Sequence, residues 1–293
     1  MKMIPRFFVL AGLLLLSGCA HVQNQKAEHK KGPDKNFWIF LCFGQSNMEG
    51  FPGVQDQDKT NVDNRFQMLA AVDFPSLNRQ KGNWYPAIPP LCRPGTGLCP
   101  ADYFGRTLAA NLPKKIRVGV VNVSVAGCKI ELFEKTNFQS YASTAAPWMK
   151  SIITTYGGDP YEYLVQMGKL AQQDGVIKGI LVHQGESNSG DKEWPNKVKG
   201  IYDNLIQDLN LKPKEVPLLA GELVNPASSM NKIIDDLPKN LPNSYAVSAK
   251  GCEGRPDRLH FTPAGYRELG TRYGLTMLSA MGYQAKGSKE PAQ

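Results

Sequence analysis

Five apolar runs rich in β-branched and aromatic residues punctuate the chain, each short enough for a strand. They are FWIFLCF (37–43), IRVGVVNV (116–123), VIKGILVH (176–183), VPLLAGEL (216–223) and SYAVSA (244–249). Segments with helical periodicity lie between them: DYFGRTLAANL, YEYLVQMGKLAQQ, NKVKGIYDNLIQDL and SMNKIIDDL precede the second to fifth runs in turn. PAGYRELGTRYGLTMLSAMG closes the series, with Pro263 suited to an opening helical turn. Near-continuous apolar strands need cover on both faces. The alternation therefore predicts a single α/β domain on a central, mainly parallel, five-stranded sheet. Binding sites of such sheets form beyond the carboxyl ends of the strands.

The loops at those ends are polar or glycine-bearing. GQSN follows the first strand, SVAGCKI the second and QGESNSG the third, and a short loop after the fifth leads to DRLHF. Ser46 has two readings. SNME fits an S-x-x-E capping box with Glu49, whereas a serine held at the end of a buried strand is placed to be a nucleophile. Serine attack on a carbonyl needs a base, a group that orients the base, and donors for the oxyanion. Of four histidines, His21 and His29 lie near the N-terminus, His183 ends a strand, and His260 sits in DRLHFTPAGY. Asp257, three residues before His260, can meet the imidazole within one turn, or can pair with Arg255 or Arg258 instead. In HQGESN, Gln184 can donate an amide N–H to an oxyanion, and Glu186 can orient a histidine or bind a substrate hydroxyl. Gly127 offers a backbone N–H that no side chain shields. An α/β-hydrolase elbow would read G-x-S-x-G with acid and base far apart. Here Met48 holds the fifth position and Asp257 and His260 share one loop, which argues against that scheme.

Together, FGQSNMEG, HQGESN and DRLHFTPAGY resemble the blocks of SGNH-type esterases of the sialate O-acetylesterase-like group. The nearest branch is carbohydrate esterase family 6, the acetyl xylan esterases. GLCPADYFGRTLA and VGVVNVSVAGCKI are similar to further segments of that family, so the ordered blocks span roughly residues 37–282. The resemblance implies the SGNH hydrolase fold, a flavodoxin-like three-layer α/β/α domain. It makes Ser46 the nucleophile, His260 the general base and acid, and Asp257 the group orienting His260, with Glu186 competing for that last role. The oxyanion donors would be the N–H of Ser46, the N–H of Gly127 and the side chain of Gln184. Ala126 and Cys128 depart from the family's glycine and hydroxyl residue. The implied activity removes acetyl groups from a polysaccharide such as acetylated xylan through an acyl-enzyme, without metal or cofactor. One alternative is a sialate O-acetylesterase. Another is a lipid-anchored glycan-binding protein on an esterase scaffold, against which the intact Ser, His and acid argue.

The ends and the composition bear on location. MKMIPRFFVLAGLLLLSGC has a charged start, an apolar stretch and small residues, as a signal peptide over 1–18 requires. LSGC resembles a lipobox in which Cys19 becomes the lipidated first residue. The expectation is an exported bacterial lipoprotein, periplasmic or on the cell surface, anchored to the membrane through Cys19. Residues 19–36 read as a flexible tether, 37–284 as the esterase domain and 285–293 as a disordered tail. The net charge of +8 includes Lys2 and Arg6 of the leader and four tether lysines, so the basic excess points to a membrane surface. No basic helix or aromatic-interleaved platform suggests nucleic acid. Beyond Cys19, Cys42 reads as a buried thiol. A disulfide can close the Gly/Pro loop between Cys92 and Cys99, Cys128 and Cys252 can meet, and the spacings do not match a zinc site. Trp84, Tyr85, Trp148 and Trp194 lie in loop-like stretches, where they can stack on sugar rings or fill the core.

Overall fold

The computed structural model describes Met1 and residues 32–51, 53–225 and 228–286. The expected signal peptide, the lipidated Cys19, most of the tether and the tail from residue 287 lie outside the described residues. Among the described residues the sheet has seven strands: β1 (Phe37–Gly44), β2 (Phe66–Leu69), β3 (Trp84–Pro86), β4 (Arg117–Ser124), β5 (Val176–His183), β6 (Leu218–Gly221) and β7 (Ser244–Val247). Their order is β3-β2-β4-β1-β5-β6-β7, and every pair is parallel except β2 with β3. The five strands expected from sequence, β1 and β4 to β7, stand in the flavodoxin-like order 2-1-3-4-5.

Two strands extend that expectation. FQML and WYP have four and three residues, too few for a periodic signal, and both lie beyond β4. Pro86 has no N–H to give a ladder, and the outermost strand is where a sheet tolerates that. The expected fourth and fifth strands contract to four residues each.

The helices that bear on the site are α1 (Ser46–Glu49), α2 (Pro100–Asn111), α3 (Pro160–Ala171), α4 (Trp194–Asp208) and α5 (Pro263–Ala280). Alternation along β1 sends its aromatic rings to opposite faces. Phe40 meets Phe104 of α2 edge-on at 4.9 Å, whereas Phe43 meets Phe133 at 5.1 Å. Helix α5 packs along α2, and α3 packs against β4, β1 and β5, giving the three layers. No described helix is long and apolar enough to cross a membrane.

Register sets the site. Gly44 pairs with Ser124 on one side and His183 on the other, so three strand ends stand level at the carboxyl edge. Gly44 has φ +151°, and a Cβ there would lie 2.1 Å from the His183 carbonyl oxygen. Only glycine lets the chain leave β1 so close to β5.

Three expectations about the periphery change. Asp34 and Asn36, assigned above to the tether, are bound into the domain: Asp34 N donates to Asp174 O at 3.0 Å, and Arg117 N donates to Asn36 O at 2.8 Å. Lys286, assigned to the tail, donates its N–H to Asn111 Oδ1. Neither candidate disulfide forms, since Cys92, Cys99, Cys128 and Cys252 are buried free thiols, as is Cys42. Cys92 Sγ instead lies 3.2 Å from the Tyr156 hydroxyl, and Cys128 Sγ faces the Gly44 carbonyl at 3.6 Å. Burial pushes the Cys92 thiol up to about 12 and that of Cys252 to about 11, leaving little thiolate for exchange.

Candidate active site

Ser46 opens the single turn α1 directly beyond β1, and Gln45, not Ser46, takes the capping position. Glu49 does not reach back to close a capping box. Its carboxylate accepts from Arg93 Nε at 2.8 Å and forms an ion pair with that guanidinium at 2.7 Å. The Ser46 hydroxyl is thus left for another partner: Oγ lies 3.0 Å from His260 Nε2.

His260 stands on a tight loop between β7 and α5. Arg255 N donates to His260 O at 2.8 Å, and Gly254 bridges Phe261, which closes the loop. Arg258 takes the left-handed turn at φ 58°. Asp257 holds the loop and the ring together. Its Oδ1 accepts from the N–H groups of Leu259 and His260 at 2.9 and 3.0 Å, and its Oδ2 lies 2.9 Å from His260 Nδ1. Desolvation opposes its charge, but the bonds from His260 and Leu259 outweigh it and hold the carboxyl at about 2. Neither Arg255 nor Arg258 forms an ion pair with it among the described residues. Phe51 lies over the imidazole with ring centroids 4.2 Å apart.

Glu186 does not touch His260. It is buried, accepts from Asn47 Nδ2 at 2.5 Å and lies 3.7 Å from His183 Nε2. Burial opposes its charge, yet His183 and Asn47 hold its carboxyl below the usual range. Asn47 also donates to Leu259 O at 2.9 Å and accepts from the Tyr266 hydroxyl at 2.5 Å. Glu186 therefore bears on the loop of His260 through Asn47, and through His183 against the Phe261 ring, rather than by touching the imidazole.

The second-strand loop supplies Gly127 at φ +67°, where a Cβ would lie 2.8 Å from the Trp148 ring. Glycine is required there for both backbone and space. The N–H groups of Ser46 and Gly127 have no hydrogen-bond partner among the described residues. Gln184, expected to be the third oxyanion donor, is a correction. Its side chain is 1% exposed, its Nε2 donates to Asn188 Oδ1 at 2.7 Å and Gln45 Oε1 at 3.1 Å, and its Oε1 accepts from Trp194. An amide nitrogen has two hydrogens, and both are committed.

Ser46, Gly127 and His260 open on a cleft of about 390 Å³ whose rim includes Phe51, Trp148 and Leu259. Of the four aromatic candidates only Trp148 lines it. Trp84 and Tyr85 belong to β3, and Trp194 is fully buried. Sequence reasoning passed over Phe51, Asn47, Gln45 and Arg93. Three of these adjoin the serine in FGQSNMEGF, but their partners are remote in the chain.

Several proteins of known structure share this fold. The structure is similar to that of an Arabidopsis thaliana protein, with TM-score 0.64, 23% identity and coverage of 84% of this chain and 99% of that one. It is also similar to XAC1771, a carbohydrate acetylesterase from Xanthomonas citri (TM-score 0.58, 16% identity, 85% of this chain and 57% of that one). NanS gives TM-score 0.57 and 16% identity over 86% of this chain and 99% of its own. At these identities the likenesses establish the fold. Residues 36–279 match the family described as carbohydrate esterase, sialic acid-specific acetylesterase. The match spans most of the chain, so the protein belongs to that family and is a carboxylic ester hydrolase.

Proposed function

We propose that this protein removes O-acetyl groups from a carbohydrate, a polysaccharide such as acetylated xylan, by a serine acyl-enzyme route. The observation that carries the reading is the unbroken chain Ser46 Oγ, His260 Nε2, His260 Nδ1, Asp257 Oδ2, with links of 3.0 and 2.9 Å at the mouth of an open cleft. Ser46 Oγ attacks the acetyl carbonyl carbon while His260 Nε2 takes its proton. The carbonyl electron pair moves onto oxygen, where the free N–H groups of Ser46 and Gly127 stabilise it. Collapse expels the sugar oxygen, which takes the proton back from His260, and leaves acetyl on Ser46. Water then repeats the sequence and releases acetate. Asp257 stays anionic throughout and fixes Nδ1–H. The exposed faces of Trp148 and Phe51 at the rim suit the apolar face of a sugar ring.

The family's description favours a second reading, acetylated sialic acid as the carrier. Acetate release from acetylated xylan, other acetylated glycans and acetylated sialic acids separates the two. The enzyme reading is tested by Ser46→Ala, which should lower turnover of p-nitrophenyl acetate by on the order of 10⁶ without unfolding the protein. Turnover within a few-fold of the parent would overturn the mechanism. We also propose export and anchoring through a lipid on Cys19, supported by LSGC alone.

A further inference from the structure

We propose that Glu49 sorts the carriers of the acetyl group by charge. Its carboxylate accepts a hydrogen bond from a neutral sugar hydroxyl and repels a carrier that holds a carboxylate beside the ester. The proposal rests on the serine-esterase reading above and names the sugar class that this site takes.

Glu49 ends the single turn that Ser46 opens, lines the cleft with Ser46 and Gly127, and is only 5% exposed. The donors that reach it converge on one oxygen. Arg93 offers Nε at 2.8 Å and a terminal nitrogen at 2.7 Å, and Ala126 N faces the same Oε1 at 3.4 Å. Oε2 accepts no hydrogen bond among the described residues, yet it is not sealed in as Glu186 Oε2 is. Burial raises the Glu49 carboxyl above its ordinary range, and the Arg93 guanidinium pulls it back. Arg93 does not line the cleft. It lines a separate hollow with Asp73, Lys81 and Tyr163, so the pair presents its negative end to the substrate.

A nearly buried carboxylate with one oxygen unused is uncommon in a folded protein, and a sugar hydroxyl is the donor it lacks. The same oxygen opposes a second negative charge. Glu186 also lines the cleft, and among the described residues no lysine or arginine does. Arg255 stacks on the Phe51 ring at 5.3 Å without joining that lining. A carboxylated sugar would bring its charge against Glu49 and Glu186 with no cation in the wall to receive it. A neutral sugar meets no such cost. No bond to Glu49 forms or breaks; it acts on which carrier settles against Ser46.

Three carriers that share a ring test this: a methyl glucoside, the matching methyl glucuronide, and that glucuronide as its neutral methyl ester. Each is acetylated on the ring hydroxyl beside the group that differs, and acetate release is measured. The parent should cleave the glucoside with kcat/KM at least about tenfold above the glucuronide. The methyl ester should recover most of that difference, which separates charge from size. Glu49→Gln should abolish most of the preference. Arg93 can only donate, so it holds the new amide by its oxygen and turns the NH₂ to the cleft. Glu49→Met/Arg93→Met replaces the pair by two apolar chains, should lose the preference likewise, and serves if the single variant folds poorly. A mere prop for the Gly127 loop would slow all three carriers alike and leave their ratio where it was. The proposal is overturned if the parent cleaves glucuronide as well as glucoside, if the methyl ester is as poor as the acid, or if a folded variant keeps the parent's ratio. An inactive Ser46→Ala beside an unmoved ratio overturns this proposal alone. A parent inactive on p-nitrophenyl acetate, or an active Ser46→Ala, overturns the esterase reading with it.

Discussion

Two carboxylates lie within reach of the site's histidines, and their surroundings separate their roles. Asp257 gives one oxygen to the backbone that carries His260 and the other to the ring itself. Asparagine in its place would offer an NH₂ or a neutral oxygen to Nδ1, so the imidazole loses the tautomer that leaves Nε2 free to accept. Asp257→Asn should therefore lower kcat on p-nitrophenyl acetate by on the order of 10⁴. Glu186→Gln retains an oxygen for Asn47 Nδ2 and should cost far less. A larger loss in Glu186→Gln than in Asp257→Asn would hand the orienting role to Glu186. The depressed carboxyl of Asp257 also has a pH signature. Its contribution to stability is complete above its ordinary value of 3.8 and is lost as pH falls toward about 2. Any acid limb of activity above that range then belongs to another group.

At the scale of elements, the start of α2 carries an ionisable group in an unusual place. Asp102 is fully buried in its first turn, accepts from Cys99 N at 2.9 Å, and has no partner for Oδ1 among the described residues. Burial pushes its carboxyl up to about 7, more than the Cys99 bond and the charge of Arg106 pull it down. Between 3.8 and about 7 the unfolded chain gives up a proton that the folded protein keeps, so stability falls as pH rises through that window. Asp102→Asn keeps an acceptor for Cys99 N and abolishes the titration. Its Tm should gain on the parent progressively from pH 4 to pH 7 and by no more above it, and a gap independent of pH would show that Asp102 does not titrate there. Elements differ in how far sequence reveals them. The long strands were legible because eight residues buried on both faces leave an unbroken apolar run, as in FWIFLCFG. FQML and WYP were not, since such short edge strands are defined by pairing rather than by pattern. The loop of His260 was legible because Asp257 and its histidine are neighbours in the chain. Gln184 was misread because Trp194, a turn of 3₁₀ helix and a loop further on, takes its carbonyl, a contact that only the tertiary fold reveals.

For the whole molecule, the site depends on the parallel sheet bringing together residues from both ends of the domain: Ser46 and His260 are 214 positions apart. The chain enters this domain at the opposite edge of the sheet. Phe37 begins β1, and the residues before it are tied down by Asp34, whose carboxylate pairs with Arg117 at 3.3 Å and whose N–H donates to Asp174 O. Asp34 and Asn36 therefore meet the sheet at the end of β1 opposite Ser46, and among the described residues the site's hydrogen bonds given above draw on none before Gly44. Catalysis and anchoring should then be separable. A chain beginning at Gly32 should hydrolyse p-nitrophenyl acetate with the kcat of the full-length protein, and a marked loss would mean that the N-terminal segment contributes to the site. Cys19→Ser should abolish incorporation of radioactive fatty acid and release the protein from the membrane fraction. One acyl chain binds a membrane only marginally, whereas the several chains of a lipidated N-terminal cysteine anchor it firmly, so membrane retention should follow the label rather than the basic tether. Equal labelling of Cys19→Ser and the parent would remove the lipobox reading and leave the esterase reading untouched. Lost label with membrane retention intact would instead assign the attachment to the lysines, which high salt should then reverse.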